Sequence, residues 1–194
     1  NVDKVDPSTG TTLELGTSGD TITVPSGATF AVSGTATGNL GITAASQWRL
    51  TTDFTGDADP IATNLEEVDA PVGFGVLGSS MTESSGIFTF PSTGYWLIEA
   101  RFSYFFAGDS TYVNGYLYTT TNNSTYALAS QTTSYLYGTG TTFADAGFQY
   151  IIDVTDTSNV KCRFRSAVED SGVSTSGNTN ENATYFTFIR LGDT

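Results

Sequence analysis

An all-β chain is predicted by three features of the sequence: apolar residues alternate over short runs, turn-forming residues separate the runs, and helical periodicity is missing. The composition agrees, being rich in Gly, Thr, Ser, Tyr and Phe, a mixture that suits strands joined by tight turns. Two regions are distinguishable. A stem of short strands spans residues 1–45, and an antiparallel sandwich or jelly roll spans residues 46–194. The length of 194 residues suits one ordinary domain with an appendage rather than two full domains.

The stem repeats a small unit, an apolar doublet at alternate positions followed by a Gly, Ser, Pro or Asp turn. The doublets are Leu13 and Leu15, Ile22 and Val24, Phe30 and Val32, and Leu40 and Ile42. Their starts fall nine, eight and ten residues apart, so each reads as a short strand with one buried face. So few apolar side chains cannot offset chain entropy, which costs about 1–2 kcal/mol per residue for the backbone alone. The arm therefore needs copies of itself. Three arms wound about one axis would pool their doublets into a continuous seam, as stacked repeats do. Leu13, Leu15, Ile22, Val24, Phe30 and Val32 are the residues expected to build that trimeric seam.

From Ser46 the aromatic density rises and the strands lengthen, which sets the boundary near Ala44-Ala45. Strands are expected over 47–50, 87–90, 95–106, 112–118, 126–137 with interruptions, 148–154, 160–167 and 185–191. Residues 53–69 read as an acidic excursion and 169–182 as a long turn. In the longest run, Trp96, Ile98, Ala100, Phe102 and Tyr104 are expected to face the core. Tyr95, Leu97, Glu99, Arg101 and Ser103 then form an outer or intersubunit face. Eight or more strands at this spacing argue for a sandwich or jelly roll, a topology that also manages exposed strand edges.

The formal charge of −13, with seven basic residues, disfavours nucleic acid and anionic membranes as partners. No run approaches the 18 apolar residues of a spanning helix, so membrane insertion is not expected, and Asn1 opens no signal-peptide pattern. Cys162 stands alone, so no intrachain disulfide forms. Histidine, the commonest general base and metal ligand, is missing from the sequence.

In the strand over 160–165, Val160, Cys162 and Phe164 share one face and Lys161, Arg163 and Arg165 the other. Cys162 reads as a buried hydrophobe rather than a nucleophile. The basic triplet reads as a solvated face with Glu169 and Asp170 nearby, or as a site for an anionic glycan or an intersubunit carboxylate. Asp53, Asp57, Asp59, Glu66, Glu67 and Asp69 match no calcium-loop pattern and read as an acidic surface loop. Nothing singles out a carboxylate pair for glycoside hydrolysis. No catalytic residue, cofactor or metal ligand is expected. Tyrosines crowd the middle strands, and the loop-proximal Tyr126, Tyr135 and Tyr137 are candidate receptor contacts. Asn122, Asn123 and Asn182 begin N-x-[ST] sequons, which matter only in a secreted eukaryotic protein.

The segment Gly86-Ile87-Phe88-Thr89-Phe90-Pro91-Ser92-Thr93-Gly94-Tyr95-Trp96-Leu97-Ile98 resembles the signature before the central strand of the complement globular-head and tumour-necrosis-factor superfamily. The aromatic ending Thr184-Tyr185-Phe186-Thr187-Phe188-Ile189-Arg190-Leu191-Gly192 is similar to that superfamily's last strand, while Trp96 stands where its spacing puts a tyrosine. Residues 16–29 and 33–38 of the stem are similar to segments recurrent in tail-fibre and other structural proteins of marine and cyanobacterial bacteriophages. Together these resemblances imply a ten-stranded jelly roll, a homotrimer and a virion-surface address. The function they imply is a non-enzymatic tail-fibre or receptor-attachment knob, or a capsid decoration protein. Its partners would be other virion proteins through the stem and a host surface glycan or protein. The alternative is a secreted carbohydrate-binding or signalling module on the same fold.

Overall fold

A computed structural model of the chain describes Thr17, residues 19–31 and residues 41–194. Two compact units are present, Asn1–Gly38 and Asn39–Thr194. In the first, the expected turns form: Asp20 N–H donates to the Thr17 carbonyl and Ala28 N–H to that of Pro25, both at 3.0 Å. Residues 19–31 form no strand in the single chain, and Ile22, Val24 and Phe30 are exposed. The described part of the arm supplies no further large apolar side chain to bury them against. Leu13, Leu15, Val32 and Leu40 lie outside the described residues.

The second unit is the expected antiparallel jelly-roll sandwich. Its strands are β1 (Ala45–Leu50), β2 (Thr52–Thr55), β3 (Leu65–Glu67), β4 (Thr82–Ser84), β5 (Ile87–Thr89) and β6 (Gly94–Ala107). They continue as β7 (Ser110–Thr120), β8 (Ala127–Leu136), β9 (Thr141–Val154), β10 (Lys161–Val168), β11 (Ser174–Asn178) and β12 (Tyr185–Gly192). One sheet has seven strands in the order β2-β11-β6-β12-β1-β3, with β9 on the free edge of β6. The other has five, β4-β5-β10-β7-β8.

The alternation of β6 sets the core as expected: Trp96, Ile98, Ala100, Phe102 and Tyr104 are buried. Opposite them the second sheet contributes Phe88, Leu117, Cys162 and Phe164. The Phe164 and Phe186 rings stack across the two sheets with centroids 3.7 Å apart, and Phe88 meets Trp48 edge-on at 5.6 Å. The Pro91-to-Gly94 turn that feeds β6 needs its glycine. Gly94 has φ of 129°, and a β-carbon there would stand 2.3 Å from the Gly192 carbonyl oxygen.

Twelve strands stand among the described residues where ten were expected, and three of them lie in the two polar stretches. Residues 169–182 contain β11, whose Thr175 is buried and shares a 3.0 Å hydroxyl hydrogen bond with Ser166. Residues 53–69 lie beside or within β2 and β3. Ser, Thr and Asp carry no hydrophobic alternation, so these strands are marked in the sequence only by isolated residues such as Phe54 and Leu65, which pack on the core. The strand expected over 148–154 starts at Thr141, directly after the Gly138-Thr139-Gly140 turn.

Candidate recognition surfaces

The outer face of the seven-stranded sheet is graded along its strands. Cross-strand pairing aligns Ala45, Ile189, Leu97 and Ile151 in one row, and Leu77 bridges to Ala45 at its end. The next rows are polar. Thr187, Glu99 and Gln149 are followed by Tyr185, Arg101 and Gly147, then by Ser103 with Asp145. Arg101 donates to Asp145 at 2.7 Å, and both remain about half exposed. A shallow groove of about 450 Å³ lies over this polar belt. Beyond it the face turns apolar again, where Phe105 and Phe143 pack at 6.2 Å between ring centroids.

Each lateral margin of this sheet carries exposed apolar side chains. At the β9 margin Phe143 is 76% exposed, and Tyr135 and Tyr137 across the β8–β9 turn are 70% and 80% exposed. At the β1 margin Val72, Phe74, Val76 and Leu77 are exposed on the segment between β3 and β4. Arg49 ties that segment down. Its side chain lies on the outer side of β1 yet is fully buried, donating to Glu66 at 2.7 Å, to Asp69 at 2.8 Å and to the Ala70 carbonyl at 2.8 Å.

The outer face of the five-stranded sheet is cationic and aromatic. Lys161, Arg163 and Arg165 point outward from β10 as expected, half-buried between their neighbours. Arg163 lies 4.8 Å from the Tyr126 ring centroid and 5.2 Å from that of Tyr118, and Arg165 lies 5.2 Å from that of Tyr116. The segment over 57–61 continues the edge of β10, with Ala58 bridging Ser166 and Ile61 N–H donating to Phe164. This brings Asp59 to 3.5 Å from Arg163 and 3.6 Å from Arg165. The carboxylate partner is thus Asp59 and not Glu169 or Asp170. Glu169 instead accepts from Thr111 N–H at 3.0 Å, and Asp170 accepts from Gly172 N–H at 2.8 Å. The Tyr118 hydroxyl first, and Asp59 after it, hold the Arg165 pKa above its ordinary value. Burial first, with Arg163 opposing, raises that of Tyr126.

The three candidate tyrosines do not form one site. Tyr126 belongs to the cationic face, whereas Tyr135 and Tyr137 stand at the β9 margin. Cys162 is fully buried, and burial pushes its thiol far above the ordinary range. The acidic excursion disperses into separate structural tasks. Asp53 accepts from Gly177 N–H and Asp57 from Val168 N–H, both at 2.8 Å, while Asp59, Glu66 and Asp69 pair with arginines. Among the described residues no three metal-ligating side chains cluster. Sequence reading missed Phe143, Ile151, Ile189 and the Arg49 clamp. The signal for Phe143 and Ile151 is their shared parity in β9, which begins seven residues before the stretch that the sequence marks as a strand.

No protein-family model matches the sequence, and no curated protein matches it. The fold is similar to that of murine APRIL crystallised at pH 5.0, with a TM-score of 0.56 at 7% identity over 76% of this chain and 98% of that one. It is similar also to Eiger TNF from S. frugiperda, with a TM-score of 0.57 at 15% identity over 79% of this chain and 95% of that one. At these identities the likeness establishes the fold, a jelly roll of the tumour-necrosis-factor type.

Proposed function

We propose that the chain is the subunit of a homotrimeric, non-enzymatic surface protein of a bacteriophage virion, an attachment knob or a capsid decoration. The observation that carries the trimer is the outer face of the seven-stranded sheet, with its apolar row at Leu97, Ile151 and Ile189 and unlike apolar margins at Phe143 and at Val72 to Leu77. Two different patches on opposite margins suit a head-to-tail contact, which closes into a ring when the rotation allows. Exposed Ile22, Val24 and Phe30 would find their burial against sister copies of the stem. The virion address rests on the resemblance of the stem to phage structural segments.

The polar belt offers no paired acid and base in an enclosed pocket, which supports recognition over turnover. Adsorption assays and particle composition test the address. Purified protein should block adsorption if it is a knob, and particles lacking it should lose heat resistance if it is a decoration. Failure of both, with the chain missing from purified particles, refutes the virion reading. The likeness to Eiger TNF favours one second reading, a secreted signalling or carbohydrate-binding module. That reading predicts the chain free in the medium rather than on particles.

A further inference from the structure

We propose that the outer face of the five-stranded sheet is a binding site for an anionic sugar, one whose carboxylate or sulfate is held by Arg163 and Arg165 while its hydroxyls meet the polar side chains and tyrosine hydroxyls around them. Three of the seven cations of a chain with net charge −13 sit on alternate positions of β10, about 7 Å apart along the strand. Placing like charges so close is unfavourable unless anions answer them, and Asp59 is the single carboxylate that pairs with either guanidinium among the described residues.

That answer is incomplete. Asp59 stands 3.5 and 3.6 Å from the two arginines, beyond good hydrogen-bonding distance; both ε nitrogens are buried without a hydrogen-bond partner, so a ligand would meet the terminal nitrogens. The other described arginines differ. Arg49, Arg101 and Arg190 each donate to a carboxylate at no more than 2.8 Å. Arg163 and Arg165 are held by tyrosines, with Tyr116, Tyr118 and Tyr126 fixing the guanidinium planes and the Tyr118 hydroxyl meeting Arg165. The partly exposed terminal nitrogens of these rigid guanidinium groups are prepared for an oxyanion.

The surroundings select a sugar over a protein. Around the arginines the face presents Gln131, Thr133 and Thr89 beside the tyrosine hydroxyls, a set that matches sugar hydroxyls. Exposed aliphatic surface is confined to its margin at Leu128, so the desolvated apolar centre of a protein hot spot is lacking. The net negative charge repels polyanions at long range, so binding must be short-ranged and salt-sensitive. This site deepens the recognition reading above and uses the sheet that the proposed trimer leaves outside.

The test is calorimetric titration of the full chain with polygalacturonate, dextran sulfate, neutral dextran and polyglutamate at low and moderate salt. Binding to either anionic polysaccharide at least tenfold tighter than to neutral dextran is expected, and the better of the two identifies carboxylate or sulfate. R163Q/R165Q should weaken it at least tenfold with unchanged circular dichroism, and D59N should tighten it severalfold by removing the competing carboxylate. Absence of preference for the anionic polysaccharides, insensitivity to R163Q/R165Q, or equal binding of polyglutamate overturns the proposal. Loss of sugar binding with an intact trimer would sink this site alone and leave the trimer reading standing.

Discussion

Arg49 donates from Nε to Glu66 Oε1 at 2.7 Å out of a side chain with no solvent-exposed surface, while Glu66 keeps about a quarter of its own. The pair pins β3 to β1 and, through Asp69 and the Ala70 carbonyl, fixes the start of the segment bearing Val72, Phe74 and Leu77. Its two halves should respond unequally. E66A/D69A strands a buried cation and is expected to cost about 3–5 kcal/mol. R49M leaves acids that water can reach and should cost less, about 1–2 kcal/mol. Urea unfolding of both variants checks the order, and the reverse order would refute the clamp.

Trp96, near the start of β6, is fully buried against Phe90 with its indole N–H donating to the Ser92 carbonyl at 3.1 Å. Replacement by Ala opens a cavity and should cost about 3–5 kcal/mol. A change within error in the denaturant midpoint would put that strand face outside the core.

How much of this was legible beforehand follows from what alternation can carry. The β6 core face and the inward Cys162 opposite three outward cations follow from period two alone, because burial on one side leaves a hydrophobic trace. The polar strand β11 leaves none, since its Ser and Thr side chains are satisfied by hydrogen bonds such as that of Thr175 to Ser166. Sequence proximity offers Glu169 and Asp170 as the partner of Arg163 and Arg165. The carboxylate arrives instead from Asp59, about a hundred positions away, through an edge pairing at Ala58 that depends on the finished sheet. Tyr126, Tyr135 and Tyr137 shared a residue type and a stretch of chain, but the run of β8 carries the last two away from the cationic face.

Alkaline pH should destabilise the fold in two stages. Burial raises the Cys162 thiol above its ordinary value of 9.0 and the Tyr104 phenol above 10.0. Both groups keep their protons in the folded state at pH values where the unfolded chain releases them. Stability is then fully present below about pH 9, begins to fall there, and falls more steeply past pH 10. C162A should flatten the first stage and Y104F the second, as read by denaturant midpoints from pH 7 to 11. A profile equally steep in the wild type and both variants contradicts this.

Gly115 pairs with Ser166 in β10 and lies under the Phe102 ring, where an added β-carbon would fall 2.3 Å from the ring edge. G115A forces that ring to shift and should cost about 1–3 kcal/mol. Thermal unfolding measures it, and an unchanged midpoint would mean the ring moves freely.

Assembly through the outer face of the seven-stranded sheet is measured most directly by sedimentation equilibrium of the wild type beside F143S/I151S. Both substituted side chains are exposed in the single chain, so the variant should fold unchanged. A wild-type mass three times the 20.5 kDa chain, falling toward the single-chain value in the variant, is the predicted result. A wild type that stays at one chain mass at micromolar concentration, or a variant that keeps the full assembly, would contradict it.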